Sequence, residues 1–428
     1  MLLRIRFSNF RSFRTEQELS LVAGPFSDLP DAVRHSAGIR DGILSGAAIY
    51  GANASGKTNV IKAVQFISSA VTFSHRSWSP DGPIPLDPFI ANKESRREPS
   101  DFEVDFLLGG VRYRYGFTID SEAVLEEWLY AYPAGKKQTW FHRKRGIPIT
   151  FSKKMPGENR TIENLTRKNS LFLSAAAQNN HEALQPIYGW LSGILFVEGD
   201  RRPYLIHTAE LSAQSDYKTE IAKLVAAADL GIADIAVEQA KLLDETKALV
   251  EAIKTIYKIP PEKYSVLPEE RTELRLLHRF NERTVRFDNG QESAGTIAYL
   301  SLLGPVVYAL KKGKPLLVDE LDASLHPLLG IVIIRLFNSA ASNPNGAQLI
   351  FNTHDTNVLS SGILRRDQIW FTEKRSDGSS HLFALSDFKP RLHENLHNGY
   401  LQGRYGAIPF INSDAFLSHL EAGNGKTG

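Results

Sequence analysis

At 428 residues, 42% of them hydrophobic, the chain can bury a large core and has room for one main domain with a lobe inserted into it. The lack of cysteine excludes disulfides, zinc–cysteine sites and thiol catalysis, and a net charge of +2 gives no overall electrostatic footprint for nucleic acid. No run of about eighteen apolar residues is present, and Met1-Leu2-Leu3-Arg4-Ile5-Arg6 lacks a signal-peptide core, so the expectation is a soluble, cytoplasmic protein.

Leu3, Ile5 and Phe7 alternate ahead of Ser8-Asn9-Phe10-Arg11-Ser12-Phe13, which predicts an opening strand and a turn. The apolar stretch at residues 47–50 then runs into Gly51-Ala52-Asn53-Ala54-Ser55-Gly56-Lys57-Thr58, and Val60, Ile61, Val64 and Ile67 follow at helical spacing. Strand, glycine-rich loop and helix in that order fit the phosphate-binding pattern G-x-x-x-x-G-K-[ST]. Its backbone N–H groups point at phosphates, with the positive helix end behind them. The nucleotide-binding set is Asn53, Ala54, Ser55, Gly56, Lys57, Thr58 and Asn59. Lys57 is placed to bridge the β- and γ-phosphates and the Thr58 hydroxyl to ligate Mg²⁺, so ATP and Mg²⁺ are the expected cofactors.

Residues 102–108 and 111–119 alternate around Gly109-Gly110, which predicts a hairpin with Phe106 opposite Tyr113, Val104 opposite Tyr115, Phe102 opposite Phe117 and Asp105 opposite Arg114 on the outer side. More strand pattern follows at residues 126–131 and 139–142. Basic groups at Arg96-Arg97, Lys136-Lys137, Arg143-Lys144-Arg145 and Lys153-Lys154 read chiefly as solvated turns, with nucleic acid a possible partner. Residues 208–259 shift to Ala, Leu, Glu and Lys with helical spacing, ended by Pro260-Pro261, which predicts a helical lobe too short for a coiled-coil arm.

Gln291-Glu292-Ser293-Ala294-Gly295-Thr296 precedes an apolar-periodic helix (Ile297, Leu300, Leu303, Val307, Leu310), with Ser293 or Thr296 as its N-cap and Gly313 as its C-cap. Pro315-Leu316-Leu317-Val318-Asp319-Glu320 has the form of a buried parallel strand that delivers carboxylates to the edge of a sheet, a Walker B strand. Asp319 is placed in the Mg²⁺ shell, and Glu320 can take a proton from an attacking water. A further apolar strand, residues 348–353, ends at His354; residues 421–428 are polar and Gly-rich and are expected to fray.

In that order these segments resemble the ABC-type ATPases. The resemblance makes Asp322 and Ser324 of Leu321-Asp322-Ala323-Ser324-Leu325-His326-Pro327 D-loop residues, His354 a catalytic switch histidine beside Glu320, and Ser293, Ala294, Gly295 and Thr296 a signature that meets nucleotide bound to a second subunit. The start, with its Asn-Phe-Arg-Ser-Phe turn, is similar to the SMC, RecF and OLD-type branch and adds Arg11 to the nucleotide-binding residues. Residues 171–178 and 399–409 are similar to the stand-alone AAA-fifteen ATPases of prokaryotes, often found in phage defence.

The resemblance implies an α/β P-loop NTPase fold, an ABC-type ATPase head with an antiparallel β-layer and an inserted helical lobe. Residues 1–205 and 266–428 form the head and 206–265 the lobe. It also implies a homodimer or higher homo-oligomer with composite ATP sites and no membrane association. Three functions follow from it: the sensor of a defence system acting with a separate effector such as a nuclease, a RecF-like DNA maintenance ATPase, or a slow nucleotide-gated scaffold. No Q-loop glutamine is evident, since Gln65 falls within the P-loop helix and the region of Pro88-Phe89 offers none.

Overall fold

The computed structural model describes residues 1–36, 38–241, 270–281, 283–392 and 394–408. The chain opens with β1 (Leu2–Ser8), β2 (Gln17–Ser20), the short pair β3 (Val33–Arg34) and β4 (Ile43–Leu44), β5 (Gly46–Gly51) and helix α1 (Lys57–Phe73). A run of strands follows: β6 (Ser100–Leu108), β7 (Val111–Ile119), β8 (Val124–Tyr132), β9 (Gln138–Lys144) and β10 (Ile147–Phe151). Helices α2 (Asn159–Leu165), α3 (Phe172–Gln178) and α4 (Gln185–Ser192) lead to β11 (Leu195–Val197), α5 (Arg202–Ser212) and α6 (Ser215–Ala226). Strands β12 (Ile232–Lys241), β13 (Glu270–Phe280) and β14 (Arg283–Phe287) precede α7 (Ala294–Lys312), β15 (Pro315–Val318), α8 (Pro327–Asn338) and β16 (Gln348–Asn352). The described part closes with α9 (Asn357–Ser360), β17 (Ile369–Lys374), β18 (Ser380–Ala384) and α10 (Leu396–Leu401).

Six strands form the core sheet in the order β11-β15-β16-β5-β17-β18, parallel except for β18. Its central strands are hydrophobic on both faces because both faces are covered. Ala47 and Ile49 of β5, Leu317 and Ile350 join a cluster with α1 and the antiparallel layer. Ala48, Tyr50, Leu316, Val318, Leu349 and Phe351 point the other way, into a second cluster with α7 and α8. The P-loop helix α1 is therefore pressed between the core sheet and a seven-stranded antiparallel sheet, β10-β9-β8-β7-β6-β1-β2.

The hairpin register is as expected, with Phe106 opposite Tyr113, Val104 opposite Tyr115 and Phe102 opposite Phe117. The outer pair differs in one respect: Asp105 is buried, because both Arg112 (2.5 Å) and Arg114 (3.0 Å) lie over it.

The lobe departs from the sequence reading. Helices α5 and α6 occupy its first part and pack on α7, but at Ile232 the chain becomes a strand. Ile232 and Ile235 are buried, and β12 pairs with β13 so that Ile235 faces Leu276 and Val237 faces Leu274. Cross-strand packing of these side chains overrides the helix propensity of the Ala, Glu and Lys between them. The resulting three-stranded sheet, β12-β13-β14, also crosses the boundary expected at residue 265. Residues 242–269, including Pro260 and Pro261, and residues 409–428 lie outside the described residues.

Helix α7 is long and apolar enough by composition to cross a membrane, yet it is a core helix here, buried from Ala298 to Val307. Ser293 is its N-cap, accepting from Thr296 N, and Gly313 closes it in the left-handed region. At its centre the helix touches α5 almost backbone to backbone. The Thr208 hydroxyl donates to Leu300 O (2.9 Å) and accepts from Gly304 N (3.1 Å). A Cβ on Gly304 would lie 2.5 Å from that hydroxyl, so only glycine permits the approach.

Candidate active site

β5 delivers the P-loop to the carboxyl edge of the core sheet. At Gly51 (φ 156°) a Cβ would lie 2.4 Å from Thr372 O, and at Gly56 (φ 114°) 2.6 Å from Ser380 Oγ, so backbone and neighbours both demand glycine. Lys57 folds back over the loop, donating to Gly51 O (2.9 Å) and Ala52 O (3.0 Å). Burial lowers its proton affinity, and the nearby carboxylates of Glu320, Asp322 and Asp319 oppose that shift.

The Walker B strand β15 lies two strands from β5, separated by β16. Thr58 Oγ1 donates to Asp319 Oδ1 (2.9 Å), and the amide of Asn352, the last residue of β16, donates to the same oxygen. Asn352 Oδ1 accepts from Glu320 N, and its carbonyl accepts from Leu321 N (3.0 Å). On the other side Asp319 N donates to Val197 O (2.8 Å), so strands on both flanks fix the acidic pair. Glu320 itself has φ 53°, in the left-handed region, where a long non-glycine side chain is strained.

Arg201, between β11 and α5, is 6% exposed and donates through Nη2 to the carbonyls of Glu320 and, at 3.2 Å, Leu321. Among the described residues its Nε and Nη1 are enclosed without partners, as is Asp322 Oδ1. The other oxygen of Asp322 accepts from His354 N (3.1 Å). Burial, and next the Lys57 charge, hold His354 below the ordinary imidazole value, with Asp322 and Glu320 opposing, so its ring is neutral at pH 7.

The predicted residues thus converge: Lys57, Thr58, Asp319, Glu320, Asp322 and His354 share one sheet edge. Asn53 and Ala54 form the exposed tip of the loop, with Ala54 at φ 61°. The Ser55 hydroxyl turns inward to Thr372 Oγ1 (2.6 Å). Asn59 donates to Ser12 Oγ (2.8 Å), so Ser12 of the opening turn bonds to α1, while the Arg11 guanidinium is held by Asp87 (2.8 Å). Ser293 and Ala294 are exposed at the start of α7; Thr296 is buried, and Gly295 lies against the carbonyl of Ser324, in the loop after β15.

Asn352, Arg201 and Glu198 were not singled out by sequence. Asn352 had a legible signal, a polar residue closing an otherwise apolar buried strand. Glu198, one residue past β11, receives Lys62 Nζ (2.9 Å) and Gln65 Nε2 (2.5 Å) from α1, and these bonds hold its carboxyl below the usual range. Gln65 therefore reaches the site's edge although it sits within the P-loop helix. In the segment at residues 399–408, Tyr400 and Tyr405 are core: Tyr400 packs on Tyr50 (5.7 Å) and Phe371 (5.6 Å), while Leu401, Gln402 and Arg404 stay exposed, Arg404 beside Glu394 (2.7 Å).

A phosphate loop, a strand-end aspartate bonded to the loop threonine, and a glutamate one residue on define a P-loop ATPase. More particularly, the chain belongs to the family described as "AAA domain, putative AbiEii toxin, Type IV TA system", whose pattern matches residues 47–360. No protein of curated function matches it. Among solved structures, an SMC head bound to the C-terminal winged-helix domain of ScpA is similar over 91% of this chain and 99% of that one, at 13% identity and a TM-score of 0.44. An SMC head domain from Thermotoga maritima is similar over 90% and 98%, at 12% identity and a TM-score of 0.40.

Proposed function

We propose that the protein hydrolyses ATP in composite sites formed by two head-to-tail subunits. One subunit supplies Lys57, Thr58, Asp319, Glu320 and His354, and the other supplies residues 293–296. The supporting observation is the bonded array Thr58–Asp319–Asn352–Glu320 at the sheet edge. Side by side, the oxygens of Thr58 and Asp319 suit a small hard cation. Mg²⁺ held by these two would neutralise phosphate charge. Lys57 exchanges its loop carbonyls for the phosphates, the backbone at residues 53–59 binds them, and Glu320 accepts the proton of the attacking water. His354, neutral and beside Lys57, orients that water or the terminal phosphate. Arg11 approaches the nucleotide by leaving Asp87.

The exposed N-cap Ser293, with the positive N-terminal end of α7 behind it, supplies the second subunit's anion contact. Because ATP contributes contacts to both chains only when they close, its presence favours the closed dimer. The family description names a "putative AbiEii toxin, Type IV TA system", and residues 171–178 and 399–409 resemble AAA-fifteen proteins. Both support a regulatory ATPase of a defence system that acts with a separately encoded effector such as a nuclease.

Mixing tests the composite site. Ser293→Arg and Lys57→Ala are each expected to be inactive alone, yet together they rebuild one intact site and recover part of the phosphate release. No recovery at any ratio argues for a self-contained site. Recovery of a partner protein from the native host with the ATP-trapped Glu320→Gln variant tests the effector; stimulation by double-stranded DNA without such a partner favours a maintenance role.

A further inference from the structure

Glu320 holds a backbone conformation that its side chain disfavours, and such a conformation persists only where the surroundings over-determine it. Asn352 secures its N–H. Its carbonyl is secured by Arg201, whose guanidinium is inside the protein with two N–H-bearing nitrogens unbonded. A buried guanidinium with spare donors is costly unless the arrangement serves another purpose. Asp322, the charge nearest to it in the D-loop, likewise keeps one enclosed oxygen without a partner.

Arg201 also stands directly before α5, and α5 is fastened to the signature helix by Thr208 at Gly304. One short rigid element thus has the signature helix at one point and the backbone of the proton acceptor at another. We propose that Arg201 is a positioning residue for Glu320, setting the direction of its carboxylate and tying that direction, through α5, to the position of the same chain's signature helix. The inference rests on the hydrolytic reading of the site. Docking of the signature helix on a partner's nucleotide would then be felt at this chain's own Glu320, with the free donors of Arg201 and the free oxygen of Asp322 as the pair that closes when α5 shifts.

The test is a cycle of Arg201→Gln and Glu320→Gln, measured by phosphate release and by titration with a fluorescent ATP analogue. Arg201→Gln alone is expected to lower kcat by about tenfold or more, with nucleotide affinity within about threefold of wild type. In the Glu320→Gln background the same change should cost less than about twofold, because a residue that acts through Glu320 has nothing left to position. Arg201→Lys, which keeps the charge and a donor, should recover part of the rate and serves in the cycle if Arg201→Gln does not fold. Equal losses in both backgrounds, or an unchanged kcat in Arg201→Gln, overturn the proposal. A wild-type protein that binds ATP and releases no phosphate instead sinks the hydrolytic reading beneath it.

Discussion

Asn352→Leu removes the amide that joins the two acidic residues while nearly conserving side-chain volume. The amide donates to the Asp319 carboxylate and accepts from Glu320 N, and Asn352 is fully buried, so no water takes its place. A charge-assisted bond contributes about 1.5–3 kcal/mol and a neutral one about 1 kcal/mol. If both are expressed in the transition state, about 2.5–4 kcal/mol is lost, or roughly 10²–10³-fold in kcat. Nucleotide affinity measured without Mg²⁺ should change little, since Lys57 and the loop backbone are untouched. Steady-state phosphate release and a nucleotide titration on the same preparation separate the two. A kcat within about threefold of wild type would refute the reasoning, for Asn352 would then be a strand residue with no hold on Asp319 or Glu320.

Lys57→Ala should abolish measurable ATP binding by calorimetry while leaving the fold intact, because the ammonium folded over the loop carbonyls is lost and an alanine carries no charge to replace it. Tyr400→Ala should cost about 3–5 kcal/mol in a denaturant titration, as expected for a large aromatic removed from a packed cluster, whereas Arg404→Ala should cost less than about 1 kcal/mol because its ion pair is exposed; equal effects would contradict the packing. Burial holds His75, His181 and His381 below the ordinary imidazole value of 6.5. The unfolded chain therefore binds protons that the folded one resists, and stability should be complete above 6.5 and fall as pH drops through the folded values. Melting temperatures across that range should show the decline, and His181→Gln should make it shallower.

The phosphate loop, the acidic strand end and the Ser293-capped helix α7 were legible in sequence because each depends on local geometry: glycines for a tight backbone, an apolar run ending in carboxylates, a serine ahead of a periodic helix. The hairpin register was legible for the same reason. What escaped is long-range. Arg201 is 119 positions from the carbonyl it binds, and its role exists only because β11 pairs with β15. Ile235 and Val237 reveal a strand only beside Leu276 and Leu274, supplied from across the residues between β12 and β13. Tyr400 and Tyr405 are core only through the rings of Tyr50 and Phe371, which are far away in sequence.

The left-handed backbone at Glu320 sets the acidic group against its own framework. In that conformation asparagine and glycine are at ease and a glutamate is not, a difference of about 1 kcal/mol. A lineage in which turnover ceased to matter would therefore find substitution downhill at this position, gaining robustness as it lost chemistry, while Asp319, which is outside the left-handed region, would be under no such pull. Drift in this family should silence the proton acceptor first and leave the nucleotide grip behind, so descendants that bind ATP without consuming it are the predictable form of decay.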